Sequence, residues 1–377
     1  MPEFGFERYV DCMNCGEDIN RERDAYYEDQ CGCCFRCGDC GDSAVEDGYT
    51  GTLHTPGESA PRSRAPRGVV HPYSYKPRRY NPKGNFPTEV LMGVELEMGG
   101  DKYAIAGRVK EVDSDEETLY CKDDCSIWGA EIVSHPFTLQ WVKEWGGYDA
   151  LLETLRGDGC YSDRADCQCS AWGCDHEFGL HIHVSRNAFR QLRKRRSVPE
   201  PMADNETYEQ RIGREMRAIR RAQREQEAIN HQMIWLMFIE RNADNLSGDT
   251  KLARRNSHHY GPFKKSNLEE LRAKANGYGY YNESRYTAIN CQNDNTYELR
   301  FFKSTVDTEE FYAALEFADA SVEFTRNIDA KAVLRGRALE WRNFVAWINE
   351  QKTETDNGVV LKYANLIAQI NSLGIQQ

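Results

Sequence analysis

Apolar and ionisable residues alternate in several short stretches of the chain, with the period of two expected for β-strands that have one polar face. The clearest stretch is VLMGVELEM at 90–98, where Glu95 and Glu97 alternate with apolar neighbours. Three other stretches combine such alternation with strand-forming composition, and a fourth, 285–291, has the composition alone. The segments predicted as strands are therefore 90–98, 130–134, 179–185, 285–291 and 296–303, the last two as a hairpin around 292–295.

Longer segments between these strands show helical periodicity. In the segment 205–241, the first half is highly charged and 234–239 is apolar, which predicts a long helix, from about 204 to 241, with a solvent-exposed extension. The predicted helices are 139–155, 205–241, 308–326, 338–351 and 359–372. Strands interleaved with helices in this way favour an α+β fold, with a sheet that carries helices on one face.

Composition divides the chain into three parts. Residues 1–48 contain seven of the 14 cysteines, with 13 acidic and four basic residues, and are predicted to form a small module. The segment 49–88 holds seven of the 12 prolines and seven Lys or Arg residues against one Glu, which predicts an extended, semi-rigid linker. A contact of this linker with a polyanion is the alternative. Residues 89–377 have a globular composition and are predicted to form the main domain.

The cysteine spacing of the N-terminal module favours a structural zinc site. Cys12 and Cys15 form a Cys-x-x-Cys knuckle followed by glycine. Three pairs could complete the site, and the spacing does not choose among them. The candidate ligands for the second pair are Cys31, Cys34, Cys37 and Cys40. Four thiolates leave no open position for catalysis, so this Zn²⁺ is expected to hold the module together. The alternative is that the cysteines oxidise among themselves.

A second cluster lies in a Cys-rich insertion at about 158–177, directly before the strand 179–185. Its spacing matches no standard zinc pattern, and buried or free thiols are the alternative to a second structural Zn²⁺. The candidate ligands are Cys167, Cys169, Cys174 and His176.

The overall composition restricts the classes of protein that need to be considered. The chain has 377 residues, a formal charge of −12 and 40% hydrophobic residues, which excludes global disorder and counts against a general nucleic-acid binder. The zinc module and the basic linker leave a local nucleic-acid contact open. No apolar run approaches the roughly 18 residues of a membrane span, and clustered Cys-x-x-Cys pairs suit a reducing compartment. We expect a cytoplasmic protein without a membrane partner.

The predicted strands place ionisable side chains together. His181 and His183 share one face of the strand 179–185, and Glu298 and Arg300 share one face of 296–303. Glu131 in 130–134 adds a further carboxylate to the pair Glu95 and Glu97. Such strands side by side would form one charged sheet face. Carboxylates and imidazoles there suit a divalent cation such as Mg²⁺ or Mn²⁺, and an arginine fork suits phosphate or carboxylate.

The order and spacing of these motifs over about 89–330 resemble the amidoligase family of glutamine synthetase-like carboxylate–amine ligases. The set is specific as a whole, although no single motif is. The motifs are Gly93-Val-Glu95-Leu-Glu97, Asp124-x-Ser126, Glu131-Ile-Val-Ser134-His-Pro136, Gly179-Leu-His181-Ile-His183-Val-Ser185, Tyr286-x-Ala-x-Asn290 and Thr296-x-Glu298-x-Arg300.

The resemblance implies a glutamine synthetase-like antiparallel sheet and an ATP-dependent activity in a bacterial or phage-infected cell. A carboxylate substrate would become an acyl phosphate, which an amine then attacks. Glu95, Glu97 and Glu131 match the family's metal carboxylates, His181 its metal- or nucleotide-contacting histidine, and Glu298 would complete the site. Further expected roles are a catalytic position for His183, phosphoryl stabilisation by Arg300 and secondarily by Arg285, and nucleotide contact by His181, Arg300 and Asn290.

The resemblance leaves the carboxylate and the amine substrates open, and a small metabolite, a peptide, a protein or peptidoglycan all remain candidates. Two other functions compete with the ligase. One is a zinc-dependent metallohydrolase that uses His181 and His183, because His-x-His on a strand occurs at catalytic zinc. The other is an inactive ligase-like adaptor whose zinc module binds a partner.

Overall fold

The computed structural model describes most of the chain from Gly68 onward and short segments before it. The described residues are 9–11, 18–20, 26–28, 35–37, 39, 52–54, 68–86, 89–124, 127, 129–157, 178–190, 208–246, 253, 261–277, 285–355 and 358–372. None of the helices in these ranges combines the length and the hydropathy that crossing a membrane requires.

The described part of the chain contains both strands and helices. The strands are β1 (Tyr9–Asp11), β2 (Asp18–Asn20), β3 (Tyr26–Glu28), β4 (Phe35–Cys37), β5 (Thr52–His54), β6 (Val70–His71), β7 (Leu91–Gly99), β8 (Leu119–Lys122), β9 (Gly129–Ser134), β10 (Phe137–Thr138), β11 (Gly179–Ser185), β12 (Ile289–Asn290), β13 (Thr296–Lys303), β14 (Lys352–Thr355) and β15 (Gly358–Leu361). The α-helices are α1 (Lys102–Val112), α2 (Leu139–Trp145), α3 (Gly147–Gly157), α4 (Tyr208–Arg241), α5 (Leu268–Asn276), α6 (Thr308–Arg326), α7 (Ala330–Leu334), α8 (Trp341–Glu350) and α9 (Ala364–Ser372).

The central feature is a mostly antiparallel sheet of eight strands. Seven of them follow the order β12-β13-β11-β7-β9-β8-β6, and β10 pairs with β7 beside this path. The pairing of β6 with β8 is parallel, and the other pairings are antiparallel. This confirms the mixed helix and strand class and the mostly antiparallel sheet, with β7 near the middle.

Alternation along β7 divides the sheet into two faces. Val94, Leu96 and Met98 are buried and belong to one large core cluster that also contains residues of α1, α3, α4 and α6. Glu95 and Glu97 point to the opposite face. The helices therefore cover the apolar face, as the sequence predicts, and leave the ionisable face for another role.

Three predicted elements differ from the structure. The helix predicted over 139–155 is two helices, because Gly146 adopts a left-handed conformation with φ 64° and ends α2. The strand predicted over 285–291 is limited to β12, because only Ile289 and Asn290 pair with β13. The helix predicted over 359–372 begins at Ala364, since residues 358–361 pair with 352–355 in a hairpin.

The small N-terminal strands form two separate sheets, β1-β2 and β4-β3-β5. β5 lies within the predicted linker and pairs with β3, and β6, also within the predicted linker, joins the main sheet. The prediction of an extended tether therefore does not hold for these two strands. Cys37 belongs to β4. The other predicted zinc ligands lie outside the described residues: Cys12, Cys15, Cys31, Cys34, Cys40, Cys167, Cys169, Cys174 and His176.

A fully buried carboxylate anchors the C-terminal helix to the core. Glu316 in α6 accepts hydrogen bonds from the Lys143 ammonium (2.5 Å), the Asn365 amide (2.8 Å) and the Leu366 backbone N–H (2.7 Å). Lys143 also donates to the carbonyl of Lys362 at 3.0 Å. One side chain thus joins α2 to α6 and to the start of α9.

Glu316→Gln should lower the free energy of unfolding by about 2 kcal/mol, because the half-buried Lys143 ammonium loses its counter-charge and the hydrogen bonds to a buried carboxylate are weakened. Denaturant unfolding followed by circular dichroism measures the change. Glu323→Gln is the matched control, because Glu323 lies on the same helix in a partly exposed pair with Arg326 and should cost under about 1 kcal/mol. Equal losses in both variants would contradict the anchoring role.

Candidate metal and substrate site

The register of the three central strands brings the predicted residues into neighbouring positions. Glu95 of β7 lies directly opposite His181 of β11, and Glu97 lies opposite Glu131 of β9. Directly opposed side chains on one face have Cβ atoms about 5 Å apart. Three carboxylates and one imidazole therefore meet where β7 is flanked by both neighbours, as the sequence predicts for one shared face.

Strand β13 adds a fourth carboxylate to this face. His183 lies opposite Glu298, and Asn290 of β12 lies opposite Glu298 from the other side. The pairing of β11 with β13 shifts by one residue between Leu180 and Ile182, so that β13 has a β-bulge near Arg300. We call this surface the polar face, and its members are Glu95, Glu97, Glu131, His181, His183, Glu298 and Arg300.

Two groups of three side chains on the polar face could each hold a metal ion. One group is Glu95, His183 and Glu298, and the other is Glu95, Glu131 and His181. Within each group, the possible ligand atoms lie within 4.8 Å of one another. Glu95 belongs to both groups, so the arrangement offers two neighbouring cation positions that share one carboxylate.

The surroundings of these atoms fit a cation. His183 Nε2 and Glu131 Oε2 are buried and have no hydrogen-bond partner, although Glu95 Oε1 lies 3.3 Å from the former and Lys122 Nζ lies 3.3 Å from the latter. A buried polar atom without a hydrogen-bond partner lowers the stability of the fold unless a ligand binds to it. Carboxylate oxygens with one imidazole per group suit Mg²⁺ or Mn²⁺, and also accommodate Zn²⁺.

The two carboxylates of the first group and His183 stabilise each other's charged forms, and His181 acts on both carboxylates. Burial alone would raise the pKa of Glu95, but His183 and His181 outweigh it and hold that pKa well below its ordinary value. Burial likewise opposes ionisation of Glu298, yet His181, His183 and Arg300 lower its pKa. Burial would lower the pKa of His183, but Glu95 and Glu298 raise it to about 9. Without a bound cation, these groups therefore form an internal network of ions.

Glu131 behaves in the opposite way. Burial is the largest effect and, together with Glu95 and Glu97, raises the pKa of Glu131 to about 8, although Lys122 acts in the other direction. Four carboxylates on one face cannot all ionise easily when water is excluded. Glu131 is the member that holds its proton at neutral pH until another positive charge arrives.

Two predicted residues act mainly on their neighbours in this structure. Glu97 lies 3.6 Å from His181 Nε2 and accepts a hydrogen bond from the backbone N–H of Gly179, so it orients β11 and its histidine rather than joining either group. Asn290 donates to Glu298 Oε2 at 2.7 Å. The prediction that Asn290 contacts the nucleotide stays untested, and its observed contact fixes the rotamer of a candidate metal ligand.

The two predicted arginines occupy different positions. Arg300 lies on the polar face and forms an ion pair with Glu298, and its buried Nε has no hydrogen-bond partner. Arg285 lies further out, where it donates to the hydroxyls of Tyr73 at 3.3 Å and Tyr286 at 3.0 Å. Arg300 thus retains a buried donor, while the exposed Arg285 is at the rim.

Sequence reasoning missed two residues at this site. Lys122, opposite Glu131 in β8, supplies the positive charge closest to that carboxylate. Tyr73 comes from the segment predicted as linker and reaches the rim through Arg285. The four-residue strand β8 is too short for a pattern that would indicate Lys122, and the position of Tyr73 depends on tertiary contacts alone.

Comparison with known proteins adds no assignment to this geometry. No family model matches the chain. No curated protein matches its sequence.

Mn²⁺ titration should detect two bound ions in the wild-type protein and none in Glu95→Gln, because both groups use Glu95. Glu298→Gln should weaken one ion selectively. Electron paramagnetic resonance of free Mn²⁺ measures the stoichiometry, and Glu323→Gln serves as a control with the same charge change. Retention of both ions by Glu95→Gln would show that the shared carboxylate is not a ligand.

The raised pKa of Glu131 predicts a dependence of stability on pH in the metal-free protein. The folded form prefers the protonated acid, so this contribution is complete below the ordinary pKa of about 4.5 and is lost as the pH rises through about 8. Glu131→Gln has no proton to lose at this position. Its free energy of unfolding, relative to that of the wild type, should therefore rise by roughly a few kcal/mol between pH 6 and pH 8.5. Denaturant unfolding in EDTA at both pH values tests this, and a constant difference would contradict it.

Proposed function

We propose that this protein is an ATP-dependent carboxylate–amine ligase that forms an amide or isopeptide bond. The observation that carries the proposal is the pair of cation positions that share Glu95 on a sheet face next to Arg300. The order of the sequence motifs supports it independently, because the residues that resemble the amidoligases are those that meet on this face.

The proposed reaction has two steps with balanced atoms. An oxygen of the substrate carboxylate attacks the terminal phosphorus of ATP, which forms an acyl phosphate and releases ADP. The amine nitrogen then attacks the acyl carbon, the C–O bond to phosphate breaks, and an amide, inorganic phosphate and a proton result. Bound Mg²⁺ or Mn²⁺ would neutralise the phosphate charge during this chemistry.

The side chains of the polar face would orient the reactants and balance their charge. Glu95 and Glu298 are ionised and can hold cations, since their pKa values are lowered. The buried Nε of Arg300 supplies a fixed donor for an oxygen of the transferred phosphoryl group. Lys122 beside Glu131 adds a second positive charge on the opposite side. This arrangement requires no covalent nucleophile from the protein.

A zinc-dependent hydrolase is a second candidate, favoured by the single imidazole in each ligand group. His with carboxylate ligands is a common set at catalytic Zn²⁺. The carboxylates outnumber the imidazoles on the polar face, and Lys122 and Arg300 lie beside them, which suits phosphate chemistry better. Peptide or ester hydrolysis with Zn²⁺ and without ATP would support this second candidate.

Incubation with Mg²⁺, ATP and pooled amino acids, peptides and peptidoglycan fragments should produce ADP only when both a carboxylate and an amine are present. Arg300→Gln should lower kcat by about 100-fold, because a fixed donor to the developing charge is lost. Arg326→Gln, on the remote helix α6, is the matched control. ADP formation no higher than in Glu95→Gln, across all pools, would overturn the ligase proposal.

A further inference from the structure

A segment from the predicted linker is packed against the edge of the sheet next to the polar face. We call Gly68–Phe86 the strap. Gly68 N–H donates to the carbonyl of Tyr103 at 3.1 Å, and β6 pairs with β8. Further along, Lys83 N–H donates to the carbonyl of Pro136 at 2.9 Å. The strap is thus attached to the main domain near both of its ends.

The strap makes a tight turn directly after β6. Tyr75 N–H donates to the carbonyl of Pro72 at 2.8 Å, which closes a β-turn with Tyr73 at its second position. The ring of His71 stacks on Tyr75 with centroids 3.7 Å apart. These contacts fix the backbone of the turn, so that the Tyr73 side chain can rotate without moving the strap.

Tyr73 contacts cations from two different parts of the sheet. The Lys122 ammonium lies 5.2 Å from the centroid of its ring, and Arg285 donates to its hydroxyl at 3.3 Å. Lys122 is in β8, whereas Arg285 precedes β12 at the other edge. Tyr73 is 52% exposed, which leaves space for it to move. The side chain of Tyr73 therefore links Lys122 and Arg285, which lie on opposite sides of the strands that carry the two groups of possible metal ligands.

Further contacts extend this link into a continuous rim. Arg285 also donates to the hydroxyl of Tyr286, whose ring lies 5.8 Å from the guanidinium of Arg300. At the other end, Lys122 lies 3.3 Å from Glu131. The sequence of contacts from Glu131 through Tyr73 to Arg300 joins both ends of the polar face. Cations and phenols alternate along it.

We propose that Lys122 and Arg285 form an oxyanion subsite at the entrance to the polar face, and that Tyr73 occupies it until a phosphate or carboxylate group of a substrate replaces the phenol. This inference rests on the proposed ligase function, for which both chemical groups are substrates. Among the described residues, Arg285 hydrogen-bonds to two neutral phenols and forms no ion pair with a carboxylate.

The exchange is favourable for a physical reason. A hydrogen bond from a guanidinium to an oxyanion is roughly twice as strong as one to a neutral acceptor, and a planar fork can hold two oxygens. The contact between an ammonium and a phenol ring at an exposed site is weaker than such a charge-assisted hydrogen bond. Tyr73 therefore contacts both cations weakly, while Glu131 remains beside Lys122 on its inner side. A multiply charged ligand can replace the phenol while the strap stays in place.

The test compares Tyr73→Ala with wild-type protein by calorimetry, with inorganic tripolyphosphate or glutarate as the probe in the presence of Mg²⁺. Removal of the competing phenol should tighten binding of the correct probe by about three- to tenfold. Arg285→Gln should weaken the same probe by about tenfold, the value of one charge-assisted hydrogen bond. Tripolyphosphate identifies the nucleotide as the source of the oxyanion, and glutarate identifies the carboxylate substrate.

A second measurement is independent of any ligand. Acetylation of Lys122, followed by mass spectrometry of its peptide, should be several-fold faster in Tyr73→Ala. Tyr103→Ala is the matched control, because the ring of Tyr103 lies 5.8 Å from the Lys102 ammonium, a contact of the same kind within helix α1. Neither Lys122 reactivity nor probe binding should change in this control.

Unchanged affinity for both probes in Tyr73→Ala and Arg285→Gln would overturn the subsite, as would unchanged reactivity of Lys122 in Tyr73→Ala. These measurements require no turnover. The binding and reactivity tests can therefore be negative for a protein that still forms ADP. They can also be positive for a protein that forms none. Failure of this inference is thus distinguishable from failure of the ligase proposal.

Discussion

Repulsion among four carboxylates on one sheet face is the constraint on which the rest of the site depends. Glu97 and Glu131 lie directly opposite each other across two strands, a pairing that is destabilising without compensation. The protein offsets it with imidazoles on β11, with Lys122 and Arg300 on strands further out, and with a carboxylic acid that keeps its proton. A bound cation would replace these internal compensations, which is why the same arrangement suits metal-dependent chemistry.

Side-chain alternation was enough to predict the middle of this sheet. The strands β7, β9, β11 and β13 lie where the sequence places them, within about one residue, because each has one apolar face that must be buried. The shared polar face followed from the same alternation. Burial of Leu180, Ile182 and Val184 on one face of β11 requires His181 and His183 to lie on the other. Helix α6 agrees with its predicted limits because its apolar stripe and the Asp307 cap give the same boundary.

The errors lie where local pattern and tertiary structure compete. Gly146 interrupts a stretch that otherwise has helical periodicity, and the predicted strand 285–291 contains only two residues with a pairing partner. Helix α1 and strand β8 were missed, because their polar and apolar residues are not sorted clearly over such short lengths. The position of Tyr73 could not be predicted from the sequence, since proline-rich composition gives no information about the surface on which a segment docks.

The bulge in β13 has a consequence for how this chain can change during evolution. On one side of it Glu298 and Leu299 alternate between the two faces, whereas beyond Arg300 both Phe301 and Phe302 are buried in the core. A deletion of one residue there would restore regular pairing only by removing Arg300 or one of the two buried phenylalanines. Substitutions in this strand can accumulate one at a time, but its length can change only together with the chemistry of the polar face or the packing of the core. Related chains that keep the chemistry should therefore keep the length of this strand, even where their loops differ.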